Sequence, residues 1–419
     1  MKFALSMALL GFSINAFCGI NRISFQPLDV VSLHEEELLI QKKGEAPRFA
    51  ISQAVEVSPA IDQNWVHFNN GVSRWSYEFN APNAVSLNFG FKNFKLSQNA
   101  KVFIYSKDRT TFLKTLTAKN NNKFQQYWSP LLMSDHAVIE IEVPTSEIPD
   151  TTFTIDHIGQ GFRTFSENVK SGNCNIDVQC SESQGWEKEI NAVGVISTGG
   201  SRFCTGFMVN NTSNDKTPFF MTAHHCEINK ETAPSLVVYW NYQSTACGGE
   251  RDGKLTDYQS GSELLASGSK SDFTLVKLLE KPKAEWNVRY AGWDASGKTP
   301  KKSVGIHHPS TDEKSISFDN DSAKISSYLG RTSPGNESHI RIVDWDLGTT
   351  EPGSSGSPLF DENHRVVGQL HGGSAACDND ESDYYGRFSM SWSGDGKSSG
   401  SLKPHLDSAK TGKKQTNTI

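Results

Sequence analysis

The stretch "TEPGSSGSPLF", Thr350–Phe360, sets three serines and two glycines between two prolines, with Glu351 as its one charge. As an isolated string it reads as a turn or linker. The alternative is a loop that presents a nucleophile. A serine hydroxyl is a weak nucleophile at neutral pH and needs a base within hydrogen-bond reach. Histidine suits that task, with a carboxylate to fix its tautomer. Flanking glycines let backbone N–H groups turn toward a developing oxyanion. On this reading Ser355 is the nucleophile, and Gly353 and Ser355 supply the donors.

Two other segments supply the missing groups. "FFMTAHHC" places His225 just after an apolar run, and "SDFTLVKL" places Asp272 at the mouth of another. Each alone has a bland reading, a strand-end histidine and a helix cap or solvated charge. Their order, His225, Asp272, Ser355, at separations of 47 and 83 residues, makes the catalytic reading the better one.

The surrounding chain is consistent with this. The 419 residues suggest two or three domains, and 36% hydrophobic with 10% aromatic content can fill cores. A net charge of −6 gives no reason to expect nucleic acid as a partner. "MKFALSMALLGFSINAFCGI" has the layout of a secretory signal peptide, assigned to residues 1–19, and Phe17 before Cys18 argues against a lipoprotein site. No later stretch reads as a membrane helix. Six cysteines follow Cys18, all from Cys174 onward. An even set in a secreted chain implies three disulfides, with fifteen possible pairings.

Residues 20–170 alternate apolar and polar positions in "VSRWSYEFN", "VSLNFGF", "AKVFIYSK" and "HAVIEIEVP" and read as a β-sandwich. From Cys174 the chain is richer in Gly, Ser and Cys, with short strands and close turns, so residues 171–408 read as a second all-β domain. "GSLKPHLDSAK" is helix-like, and residues 409–419 read as a loose polar tail.

The ordered set "TAHHC", "SDFTLVKL" and "GSSGSP" resembles the trypsin/chymotrypsin superfamily of serine proteases. More narrowly, "CNIDVQC", "VVYWNYQ", "TEPGSSGSP", "GQLHGG" and "YGR" are similar to the bacterial lysyl endopeptidases, from Cys174 to about residue 408. The resemblance implies a chymotrypsin-like double β-barrel, a proenzyme whose first domain is a propeptide, and secretion. It implies hydrolysis of protein and peptide substrates after lysine through His225, Asp272 and Ser355. The first domain is expected to act as an intramolecular inhibitor or folding aid. No cofactor, metal, nucleic acid or membrane partner is expected, and the enzyme should be monomeric.

The resemblance also carries details. It pairs Cys174–Cys377, Cys180–Cys247 and Cys204–Cys226. Six residues before the nucleophile, where trypsin-like enzymes keep an aspartate, stands Thr349. The carboxylate for a basic substrate must sit elsewhere. Asp383, two residues before Tyr385-Gly386-Arg387, aligns with the pocket floor, and a compact ammonium suits it better than a guanidinium fork. His371, with Gly372 and Gly373, aligns with the pocket wall. The family stacks that histidine on a tryptophan; here the nearest aromatic residue is Tyr328. Lys170 is the expected self-cleavage point, with Ser171 as the new terminus. Ser354, immediately before the nucleophile, cannot form the trypsin-type activating ion pair, so the mature start is expected to be held by Cys174.

Other readings are weaker. A zinc site from "HHC" and "HHP" (His307, His308) with Cys226 would need a cysteine that the family uses in a disulfide, and no His-Glu-x-x-His motif is present. An esterase would want a G-x-S-x-G elbow and the order Ser, Asp, His. A dead protease fold would be expected to lack a triad member. Within the enzyme class, a preference for Glu, or for Arg and Lys together, is the alternative.

Overall fold

The computed structural model describes residues 21–42, 46–62, 64–163, 171–249, 251–330 and 337–419. The signal segment and Lys170 lie outside these residues.

Residues 21–163 build two sheets face to face. One runs in the order Asn21–Ser24, Val72–Asn80, His136–Pro144, Lys101–Ser106; the other runs Ala50–Val57, Thr152–Gly161, Ser86–Lys95, Gln126–Trp128. Alternation puts Trp75, Phe79, Ile104 and Ile139 of the first sheet against Phe89, Phe91 and Ile155 of the second in one core. The strand-rich reading does not account for the helix Val30–Lys42. Its run of Glu and Leu favours a helix, and Glu36 and Glu37 on it hold Arg48 at 3.0 and 2.5 Å.

Residues 171–408 form the expected all-β double barrel. A seven-stranded antiparallel sheet carries, in order, Tyr258–Ser260, Val237–Tyr239, Val193–Thr198, Arg202–Met208, Phe219–Ala223, Phe273–Leu278 and Ser262–Gly268. An eight-stranded sheet carries Ile176–Asp177, Ser315–Asp319, Ser303–His307, Pro358–Asp361, Val366–Gly373, Asp383–Arg387, His339–Ile342 and Lys324–Ser326. One buried cluster spans both, from Phe207, Met221 and Phe273 to Ile306, Ile316 and Phe360. Connections at the strand ends hold His225, Asp272 and Ser355, while His371, Gly372, Gly373 and Asp383 stand on the strands Val366–Gly373 and Asp383–Arg387, so the barrels act as a rigid scaffold for all of them.

The C-terminal tail is not loose. Trp293 and Thr416 exchange backbone hydrogen bonds at 3.2 and 3.0 Å, as do Tyr290 and Ile419 at 3.0 and 3.1 Å. The polar composition misled because the tail contributes backbone groups, satisfying an edge, rather than apolar side chains. "GSLKPHLDSAK" contains only the single turn Lys403–Leu406.

Three disulfides join Cys174–Cys377, Cys180–Cys247 and Cys204–Cys226.

Candidate active site

Strand pairing brings His225 and Asp272 together. The buried strand Phe219–Ala223 lies antiparallel to Phe273–Leu278, with Ala223 opposite Phe273. His225 stands just past the end of one strand and Asp272 just before the start of the other. The His225 amide donates to Asp272 Oδ1 at 3.0 Å, and His225 Nδ1 lies 2.8 Å from Asp272 Oδ2. That contact assigns the proton to Nδ1 and leaves Nε2 as the basic nitrogen. Asp272 is held at φ +53°, a left-handed conformation that costs a non-glycine residue free energy and recurs at functional sites.

Burial works against the charged forms of both groups, but their mutual attraction prevails. The His225 imidazolium is favoured above the ordinary histidine range by the Asp272 carboxylate, and Asp272 is held below the ordinary carboxylate range by His225.

The loop around Ser355 is bolted to the first barrel. Thr205 N–H donates to Ser355 O at 2.9 Å, and Thr205 Oγ donates to Gly353 O at 2.9 Å. Two glycines are required here. Gly353 has φ +99°, and a Cβ would stand 2.2 Å from the Phe203 ring; Gly356 has φ +83°, and a Cβ would meet Thr222 Oγ at 2.2 Å. Among the described residues neither Gly353 N–H nor Ser355 N–H has an acceptor, as donors kept for an oxyanion should be. Ser355 and His225 line one cleft of about 130 Å³. Among the described residues the Ser355 hydroxyl makes no hydrogen bond; such contacts are often long without substrate.

The same cleft ends at Asp383, which is 1% exposed. Its Oδ2 accepts from Trp345 Nε1 at 2.9 Å and Thr350 Oγ at 2.7 Å. Burial nonetheless pushes its carboxyl above the ordinary range: a few neutral donors do not replace water around an anion. Gly373 pairs with Asp383 across the strands, and a Cβ there would lie 2.4 Å from Asp383 Oδ1. Gly372, next to it, is at φ +143°.

His371 stands between these two ends. Its ring is parallel to Tyr328 at 3.6 Å and faces His225 at 5.5 Å. His371 Nδ1 is 2.9 Å from His339 Nε2. Burial, reinforced by the neighbouring His225, pushes its pKa down to about 4 despite the pull of Asp272. It therefore stays neutral where His225 titrates.

The structure thus gathers His225, Asp272, Ser355, His371, Gly372, Gly373 and Asp383, while Ser171 is not among the residues lining that cleft. Sequence reasoning missed Trp345, Thr350 and His339. Thr350 stood in the opening string with no feature to mark it, and Trp345 in "VDWDLG" carried no periodic signal.

The metal reading fails on its ligands. Cys226 is bonded to Cys204. His307 is fixed between Ser354 and Ser317 at 2.8 and 3.1 Å, and His308 Nδ1 is 3.0 Å from the Asp312 carbonyl. Among the described residues, His225, Asp272 and His371 are the set with atoms close enough to share an ion, and each already partners another protein group.

The family profile described as "Lysyl endopeptidase, C-terminal domain" matches residues 169–386. A lysyl endopeptidase of Pseudomonas aeruginosa is 31% identical over 292 residues, which is 63% of this chain and 61% of that relative's length. Among solved structures, a Glu endopeptidase aligns at 16% identity and TM-score 0.34 over 52% of this chain and 93% of its own. The HtrA-type protease AlgW aligns at 16% identity and TM-score 0.34, covering 50% of this chain and 60% of its own. These two likenesses are too distant to inform the site. The profile match, extending from the edge of the first domain to just past the floor of the cleft, is enough: this chain belongs to the lysyl endopeptidase family.

Proposed function

We propose that this chain is a secreted serine endopeptidase that cuts on the carboxyl side of lysine. The observation that carries the reading is a buried carboxylate, Asp383, at the end of the cleft whose other wall holds His225 and Ser355. A lysine side chain entering that cleft loses its water, and Asp383 offsets the loss. Its backbone carbonyl then lies beside Ser355. The Ser355 oxygen attacks the carbonyl carbon while His225 Nε2 takes the hydroxyl proton. The N–H groups of Gly353 and Ser355 hold the oxyanion. The proton passes to the leaving nitrogen, the C–N bond breaks, and an acyl-enzyme remains. Water repeats the sequence and releases the new carboxylate. A preference for Glu is disfavoured by the same carboxylate, because a substrate anion would meet Asp383 unpaired.

The first domain acts as an intramolecular inhibitor. Its segment Ala46–Ala50 lies along the rim of the cleft: Phe203 N–H donates to Pro47 O at 3.1 Å, Phe49 N–H to Ser201 O at 2.8 Å, and Arg202 to Ala46 O at 2.6 Å. Pro47 itself lines the cleft beside Ser355. A chain paired to that rim occupies space that substrate must enter. Removal follows self-cleavage after Lys170, leaving Ser171 as the terminus. Secretion is supported by the three disulfides, and no described helix is long and apolar enough to cross a membrane.

Peptide mapping of a denatured protein digested by the secreted product tests the reading. Cuts after Lys, abolished in Ser355→Ala, are expected; cuts after Glu, or digestion by Ser355→Ala, would overturn it.

A further inference from the structure

Ser171 is only 7% exposed, although it directly follows the proposed maturation bond. Its amide N–H donates to Asp312 Oδ2 at 3.3 Å and its hydroxyl to the same oxygen at 2.5 Å. Gly172 N–H donates to Glu351 Oε1 at 2.6 Å, and Asn175 Nδ2 reaches the same atom at 2.9 Å. These contacts hold this end in addition to the Cys174–Cys377 disulfide.

The seat is short of positive charge. Asp312 and Glu313 are 4% and 3% exposed, and burial pushes both carboxyls up. Arg251 reaches Asp312 Oδ2 at 2.5 Å. Among the described residues Glu351 has no ion pair; it accepts only from Gly172, Asn175 and Ser310. Of these three carboxylates Asp312 alone is paired with a guanidinium among the described residues, in a place where unpaired charge is costly.

We propose that this seat binds the α-ammonium of the mature chain: Ser171 N pairs with Asp312, and residues 171–175 thereby lock Glu351 and the nucleophile loop. The inference rests on the maturation reading above. Hydrolysis of the Lys170–Ser171 amide consumes one water and leaves a carboxylate on Lys170 and an amine on Ser171. The amine takes up a proton at neutral pH, since an α-amino group has a pKa of about 8. The bond must leave the seat to be cut. The Cys174–Cys377 disulfide, three residues away, then brings the new terminus back at high effective concentration.

The coupling to the cleft is direct. Glu351 Oε2 accepts from Ser310 Oγ at 2.8 Å, and Ser310 N–H donates to Pro352 O at 2.8 Å. Glu351 O accepts from Ser354 N–H at 2.9 Å, and Glu351 N–H donates to Ser354 Oγ at 3.2 Å. Glu351 also lines the cleft. Trypsin-like enzymes place their ammonium partner immediately before the nucleophile; here Ser354 holds that position, and Asp312 takes the role from the neighbouring loop.

The test uses the full chain with the residues before Ser171 replaced by the recognition sequence of an unrelated processing protease. In one form the cut leaves Ser171 first; in the other it leaves one extra glycine. Activity on a lysyl peptide should fall roughly 10-fold or more with the extra residue. Asp312→Asn should cost a similar factor, and the extra residue should then cost no more than about 2-fold, because the pair is already lost. Full activity of the extended form, or effects that multiply, would overturn the proposal. The extended form alters no buried side chain, so its result stands even if Asp312→Asn fails to fold. N-terminal sequencing of the natural product separates the two readings. A terminus other than Ser171, with lysine cleavage intact, would overturn the ammonium seat and leave the endopeptidase reading standing.

Discussion

The imidazole of His371 lies flat on the ring of Tyr328, centroids 3.6 Å apart and planes 4° from parallel. The opposite face of the same imidazole looks toward His225. A tyrosine thus provides the backing that the family resemblance assigned to a tryptophan, and the wall of the substrate cleft is a stack of Tyr328, His371 and His225. Aromatic pairs of this kind contribute about 0.5–1.5 kcal/mol beyond the area they bury.

Removing the backing should loosen His371 without touching the reacting atoms. Tyr328→Ala is expected to lower kcat/KM on lysyl peptides by up to about 10-fold, the factor that this pair energy represents. Tyr328→Trp should retain most of the activity. A purely structural role predicts lower stability alone. A positioning role predicts in addition a new acidic limb in the pH profile, as a less buried His371 titrates above its value of about 4. An unchanged pH profile and kcat/KM in Tyr328→Ala would refute the role.

The pH dependence of the parent enzyme follows from His225. In the proposed mechanism its neutral form is the base, and the Asp272 carboxylate shifts its protonation upward against the effect of burial. Activity should therefore rise with pH through a midpoint above about 6.5, the unperturbed histidine value. Asp272→Asn removes the attraction and leaves the burial. The midpoint should move down while kcat drops roughly 10⁴-fold. A midpoint that stays in place, followed by rates on a lysyl ester from acid to neutral pH, would contradict the assigned pairing.

Much of this site was legible before any coordinates because catalysis demands particular residue types in order. His225, Asp272 and Ser355 each sit near a strand end, and such junctions leave a pattern: a reactive group beside one end of an apolar run. Asp383 was legible only through resemblance, since one acid among Asp378, Asp380 and Glu381 has no periodic signature. Its pocket partners Trp345 and Thr350 depend on register between distant strands and leave no local trace. The helix Val30–Lys42 was missed for a different reason. It carries little apolar surface into the core, so helix-period patterning is faint among strongly alternating neighbours.

The rim-bound segment of the first domain makes inhibition measurable. Phe49 is fully buried in one cluster with Phe203, Val195 and Tyr239 of the protease domain. Added separately, the first domain should inhibit the mature enzyme, and Phe49→Ala should weaken that inhibition by about 100-fold or more, the scale of a large-to-small change in a packed core. Equal inhibition by the parent and Phe49→Ala domains, in a titration against a fluorogenic lysyl substrate, would show that this contact does not hold the domain in place.

Lysine selection should rest on one buried carboxylate. Among the described residues Asp383 accepts from neutral donors and forms no ion pair, and burial keeps its carboxyl above the ordinary range. A bound ammonium favours the ionised form, so substrate binding and proton loss from Asp383 are linked. KM for lysyl substrates should accordingly rise as pH falls through the raised Asp383 pKa, separately from the kcat limb set by His225. Asp383→Asn keeps the shape and removes the charge, which leaves an incoming ammonium desolvated and unpaired. Losing one member of such a pair costs about 2–5 kcal/mol, so kcat/KM on lysyl substrates should fall by roughly 30- to 4,000-fold. The pH dependence of KM should disappear with it. His225, Asp272 and Ser355 are untouched, so active-site titration with a small serine-reactive ester should continue nearly unchanged. A variant that still prefers lysine, or that loses its reaction with the titrant, would show that Asp383 supports the fold of the cleft rather than reading the substrate.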